Sequence, residues 1–119
     1  MRGKQLGDRG EALAAQHLES HGWTILHRNF RLGHREIDLV ARRGVKVAFI
    51  EVKTRAGLAY GHPLQAITRR KQREIQHVAA AWLRRYGIPS DTYQFDAVAI
   101  LLPSGGPPSI EHVEDAWRG

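Results

Sequence analysis

Apolar positions along the chain recur with two periods, and the switches between them mark out its elements. From Gly7 to His21 the spacing is helical: Leu6, Leu13, Ala14 and Leu18 share a stripe, Asp8 is a candidate N-cap and Gly22 can close the C-terminus. Trp23 to Phe30 (WTILHRNF) is predicted as a first strand, followed by a polar, mobile-looking segment, RLGHR. Glu36 to Arg42 (EIDLVAR) and Val45 to Lys53 (VKVAFIEVK) read as two further strands joined by a tight turn. Leu64, Ile67, Ile75, Val78, Ala79, Trp82, Leu83 and Tyr86 predict one long amphipathic helix from about Pro63 to Tyr86, ended by Gly87 and Pro89. Thr92 to Leu102 (TYQFDAVAILL) alternates and then turns continuously apolar, as an interior strand does. The turn PSGGPP leads to a short last strand, IEHVEDAW.

The predicted order is therefore αβββαβ(β), an α/β class with a mixed central sheet flanked by helices. A helix between the third and fourth strands makes their connection a right-handed crossover, so those two strands are parallel neighbours. With 119 residues the chain is expected to form a single domain spanning 1–119.

Acidic residues interrupt the two central strands in the pattern Asp38-x12-Glu51-x-Lys53. Successive strand side chains alternate faces, so Glu51 and Lys53 share one face while Ile50 and Val52 take the other. With Arg43 and Gly44 as a two-residue loop, Arg42 opposes Val45 and Asp38 faces Phe49, which puts Asp38 on the same face as Glu51 and Lys53. A register shift of two keeps that arrangement, and a shift of one destroys it.

Two adjacent carboxylates repel unless something compensates, and a divalent cation with oxygen ligands does so. Lys53 could then orient or deprotonate an attacking water, or stabilise charge developing at a phosphate. The plainer alternative is a cross-strand ion cluster on an exposed face, worth a few tenths of a kcal/mol. Val, Ala, Phe and Ile around these charges favour the site.

Charge sharpens the picture. Residues 1–90 hold 17 Lys plus Arg against 7 Asp plus Glu, a net +10, whereas residues 91–119 hold 1 against 5, a net −4. The basic part contains the acidic motif and Arg dominates it, as suits bidentate phosphate contacts and a nucleic-acid partner, although many small proteins are simply basic. Arg31, Arg35, Arg55, Gln65, Arg70 and Lys71 are the candidate nucleic-acid contacts. Lys71 lies within the apolar stripe of the long helix, where it either reaches towards the site or a phosphate or snorkels over the core rim.

Without cysteine, neither a disulfide framework nor a thiolate zinc site is available. The N-terminal segment lacks a signal-peptide apolar region and no apolar run approaches membrane-spanning length, so a cytoplasmic protein is expected. His17 and His21 stand at i and i+4, but Leu18 occupies the position where a zincin needs Glu. His34 and His62 flank the site in loops. Glu11 borders the apolar stripe of the first helix, either as a third acidic ligand or as an early-helix Glu favoured by the macrodipole.

Gly10-Glu11-Ala12, Arg28-Asn29-Phe30-Arg31, Glu36-Ile37-Asp38-Leu39-Val40-Ala41, Phe49-Ile50-Glu51-Val52-Lys53-Thr54-Arg55 and Phe95-Asp96, in that order, resemble the YraN family of uncharacterised bacterial proteins over nearly the whole chain. That family looks like a branch of the restriction-endonuclease-like PD-(D/E)xK superfamily, similar to archaeal Holliday junction resolvases. The resemblance implies that Asp38 and Glu51 bind Mg²⁺ or Mn²⁺, that Lys53 assists the water, and that Glu11 is the helical acidic residue of the site. One departure is Arg35, which stands where the family usually has Gly and implies a changed turn or an added phosphate contact. The expectation is a metal-dependent, structure-selective DNA endonuclease resembling enzymes that act on branched DNA, where cuts at paired positions would favour a homodimer. The alternative is a non-catalytic nucleic-acid-binding module of the same fold.

Overall fold

In the computed structural model, residues 3–58 and 61–118 are described. Helix α1 (Gly3–Ser20) is followed by strands β1 (Thr24–Leu32), β2 (Arg35–Arg43) and β3 (Lys46–Arg55). A short 3₁₀ turn (Pro63–Ala66), helix α2 (Arg69–Tyr86), β4 (Thr92–Leu101) and β5 (Ser109–Trp117) complete the order. The five strands form one sheet in sequence order, antiparallel except for the parallel β3–β4 pair that the α2 crossover joins. This mixed α/β architecture is the one predicted.

Each helix covers one face. Ala14, Ala15 and Leu18 of α1 pack on Leu39, Ala41, Ile50, Val52 and Val98, while Ile75, Val78, Ala79 and Trp82 of α2 pack on Val40, Val47, Phe49 and Phe95. Burial of these side chains is the main stabilising term, at about 1.5–3 kcal/mol for each large one. Among the described residues no helix is long and apolar enough to cross a membrane.

The boundaries differ from expectation in instructive ways. Helix α1 starts four residues earlier than predicted, and Asp8 lies inside it, paired with Lys4 at 3.1 Å rather than capping. RLGHR is a hairpin tip: Leu32 pairs with Arg35 across Gly33-His34, with Gly33 at φ 64°. The long helix is broken at Ile67-Thr68, because Thr68 is extended and its hydroxyl accepts the Lys71 N–H at 3.2 Å, starting α2 afresh. The β2–β3 loop is Gly44-Val45, with Arg43 paired to Lys46. Gly44 has φ 64°, so the αL-tolerant residue sits first in the loop and the register moves by two. A shift of two keeps the parity of the predicted register.

Close approach of α1 to β3 depends on Gly10, which is buried. A Cβ there would collide with the Thr54 side chain, whereas Gly7, one turn earlier on the same helix, faces open space. Gly10→Ala is expected to cost about 1–3 kcal/mol in urea unfolding through overpacking. Gly7→Ala should be neutral or stabilising by up to about 1 kcal/mol. Equal effects of the two substitutions would show that the helix does not seat on Thr54.

Candidate active site

The site forms where β2 and β3 part. Their pairing runs from Arg43–Lys46 to Leu39–Ile50, and one further step sets Asp38 opposite Glu51. Beyond that point the Val52 N–H donates not to a β2 carbonyl but to Asp38 Oδ2, at 2.8 Å. From Glu51 to Arg55, β3 keeps its ladder to β4 on the other side. Ile50 and Val52 pack towards α1 and Phe49 towards α2, so Glu51 and Lys53 point to the α2 side, as strand alternation requires.

Asp38 and Glu51 are both buried, at 8% and 3% exposure, in a place where water cannot solvate two charges. Burial pushes the Asp38 carboxyl up to about 8, and the adjoining Glu51 carboxyl adds to the rise. The Val52 N–H and the charge of Lys71 oppose it only partly. Lys71 reaches down from the first turn of α2 and places its Nζ 3.5 Å from Glu51 Oε2, an ion pair with no hydrogen bond in it. Glu51 Oε2 is consequently buried without a hydrogen-bond partner among the described residues.

Glu11 approaches from α1. It is half-buried and accepts the Asn29 amide at 3.0 Å. Its carboxyl is raised, chiefly by burial; the Asn29 hydrogen bond opposes this, while the charges of Asp38, Glu36 and Asp8 add to it. Asn29 has φ 51° within β1, a left-handed conformation that Asn tolerates better than most residues. It also lies 3.4 Å from Glu36, which Arg31 holds at 3.1 Å. Glu11, Asn29, Glu36 and Arg31 thus form one polar chain along the rim. Periodicity does not point to Asn29; its only sequence signal is its place in the Arg28–Arg31 motif.

The remaining predicted residues are distributed around this centre. Lys53 is partly exposed, two positions beyond Glu51 on the same face. Arg55 turns its guanidinium onto the Thr54 carbonyl at 3.0 Å. Gln65 is exposed on the 3₁₀ turn, and Arg70 is exposed on α2 with Glu74 3.7 Å away. Arg35 opens β2, and Lys71 is committed to Glu51. His62 caps the 3₁₀ turn through Nδ1 and lies 3.2 Å from Glu111, and His34 stands at the hairpin tip.

Asp96 is fully buried away from this centre. It accepts from Gln94, His112 and the Asp115 N–H, which pin the end of β5 to the sheet.

Among the described residues no three His, Asp or Glu side chains are gathered closely enough to enclose a metal ion. The donors present are nonetheless suited to a hard divalent cation: two adjacent carboxylates, one with a bare buried oxygen. Mg²⁺ needs no more than one or two carboxylates when water and a substrate phosphate complete its shell.

Fold and site together define a mixed α/β protein with a buried carboxylate pair at the mouth of a strand divergence. The chain belongs to the uncharacterised protein family UPF0102, the YraN family, whose profile matches residues 10–100. It is 47% identical over 112 residues to a UPF0102 protein of Rhodococcus jostii (strain RHA1), covering 94% of this chain and 95% of that protein. It is 46% identical over 115 residues to one of Geobacter sulfurreducens, covering 97% and 90%. A solved structure, a protein of unknown function from Silicibacter pomeroyi, aligns over 99% of this chain and 77% of its own at 16% identity. Its TM-score of 0.38 is too low to define a shared fold.

The raised Asp38 carboxyl makes stability depend on pH. Without a cation the folded state holds this proton more tightly than the unfolded chain, whose ordinary value is 3.8. That contribution is complete below about pH 4 and is lost as pH rises through about 8. Each tenfold tightening of the proton is worth about 1.4 kcal/mol, so even part of this rise suffices to be measured. In EDTA, wild-type stability in urea should fall from pH 5 to 8 relative to Asp38→Asn; parallel profiles would contradict the buried pair.

Proposed function

We propose that this protein is a metal-dependent endonuclease that hydrolyses phosphodiester bonds in DNA, with branched DNA as the preferred substrate. The observation that carries this reading is the buried Asp38–Glu51 pair, in which Glu51 Oε2 has no hydrogen-bond partner among the described residues and the Asp38 carboxyl is raised. Asp38 and Glu51 would hold Mg²⁺ or Mn²⁺, with Glu11 beside them. When bound, the cation polarises the scissile phosphate and makes water a better nucleophile at neutral pH.

The chain's own residues supply the rest. Lys53, on the same strand face as Glu51, orients the attacking water and offsets charge that grows on the phosphate oxygens. Lys71 holds the Glu51 carboxylate in position from α2. Asn29 fixes Glu11 at the rim through its amide. Addition of water to phosphorus breaks one P–O bond, leaving a phosphate monoester on one strand end and a hydroxyl on the other. A pure binding module would gain affinity by losing acids next to phosphate, so the presence of the pair favours turnover.

Cleavage of branched, flapped, single-stranded and duplex DNA with Mg²⁺ or Mn²⁺ tests the proposal. Asp38→Asn and Lys53→Ala should each lower the rate by about 10²-fold or more, the scale of losing one group that stabilises transition-state charge. Equal activity in wild type and both variants would identify a contaminant. A wild type that binds DNA tightly but leaves it intact would make the protein a binding module instead.

A further inference from the structure

Outside the carboxylate site, an open cleft of about 340 Å³ is lined by Arg35, Arg70, Arg73, Glu74 and His77. Its α2 wall follows from helical spacing, since positions 70, 73, 74 and 77 share one face. That face is distinct from the stripe of Ile75, Val78 and Trp82 that enters the core. The other wall is Arg35, the first residue of β2, whose Nε is buried without a hydrogen-bond partner among the described residues. A buried donor left unpaired is unfavourable, and an anion would satisfy it. Three guanidiniums share the lining with one carboxylate, a formal +2 from the arginines and Glu74. Glu74 is 3.7 Å from Arg70, while Arg73 has no ion-pair partner among the described residues. The first turn of α2 carries no acidic residue to offset the positive end of its dipole.

We propose that this cleft is a seat for one backbone phosphate of the nucleic-acid strand, with Arg35 and Arg73 as its principal contacts. The inference rests on the nucleic-acid reading above and adds where the strand runs. Arg35 lies three residues before Asp38 on β2, about 10 Å away at a strand rise of ~3.3 Å per residue. Because the backbone also winds around the axis, successive phosphates of one strand are farther apart than their axial rise of ~3.4 Å, so the seat lies about one to two nucleotides from the scissile bond. Lys71, next to Arg70 on α2, ties the two places together, because its own side chain reaches Glu51. The strand therefore crosses the first turns of α2 and leaves past the β1–β2 hairpin.

Binding of fluorescein-labelled single-stranded and duplex DNA, followed by anisotropy in EDTA across a salt series, tests the seat. Arg35→Ala/Arg73→Ala should weaken binding on the order of tenfold at low salt and lower the slope of log K against log salt by about one. Arg118→Ala, outside the cleft, should leave the slope at the wild-type value. Arg73→Glu alone alters an exposed side chain and serves if the double variant fails to fold; it should weaken binding at least as much. Wild-type affinity and slope in these variants would overturn the seat while leaving the proposed function standing. A wild type that binds no DNA at low salt, either in EDTA or with Ca²⁺ present, would overturn both.

Discussion

The hydrogen bond from the Val52 N–H to the Asp38 carboxylate, 2.8 Å long, sits where the β2–β3 ladder stops. A buried backbone donor must find an acceptor, and here a side chain takes the place of a β2 carbonyl. That exchange lets the strands part without an unpaired N–H. It also fixes Asp38 beside Glu51, so one local requirement ends the ladder and assembles the acidic pair. Burying two carboxylates together is unfavourable, and neither the Val52 N–H nor the ion pair to Lys71 cancels the cost. The result is a centre in which the Asp38 carboxyl holds its proton more tightly than an ordinary carboxyl does.

The two helices finish the site from opposite faces. Seating of α1 depends on Gly10, where no Cβ fits against Thr54, and this brings Glu11, the next residue, to the rim. Renewed capping at Thr68 starts α2 so that Lys71 falls in its first turn and reaches Glu51. Asn29, in a left-handed conformation inside β1, turns its amide to Glu11. The left-handed Asn29 and the buried Asp38 carboxyl thus occur within one small region.

Strand alternation makes the face of Asp38, Glu51 and Lys53 legible in the sequence, and an error of two in the register does not disturb it because the period is two. The αβββαβ(β) order follows from the same periodicities. The break at Ile67-Thr68 is hidden because Leu64 and Ile67 continue the apolar spacing of α2, while Thr68 acts through its hydroxyl and not its hydropathy. The β2–β3 loop is displaced by one residue from its expected place because Gly fits either position of a tight turn. Lys71 offers no sequence signal to separate a snorkelling residue from a partner of Glu51; only the restart of α2 decides it. The role of Asn29 requires the φ of a single strand residue, which no hydrophobic pattern encodes.

Calorimetric titration of Mn²⁺ into the protein at pH 7, in two buffers that differ in protonation enthalpy, addresses the acidic pair directly. With Asp38 mostly protonated in the free protein, binding should release about one proton per ion. Asp38→Asn should abolish that release and weaken the binding. A wild type that takes up no Mn²⁺, or that binds it with no proton released, would contradict the account.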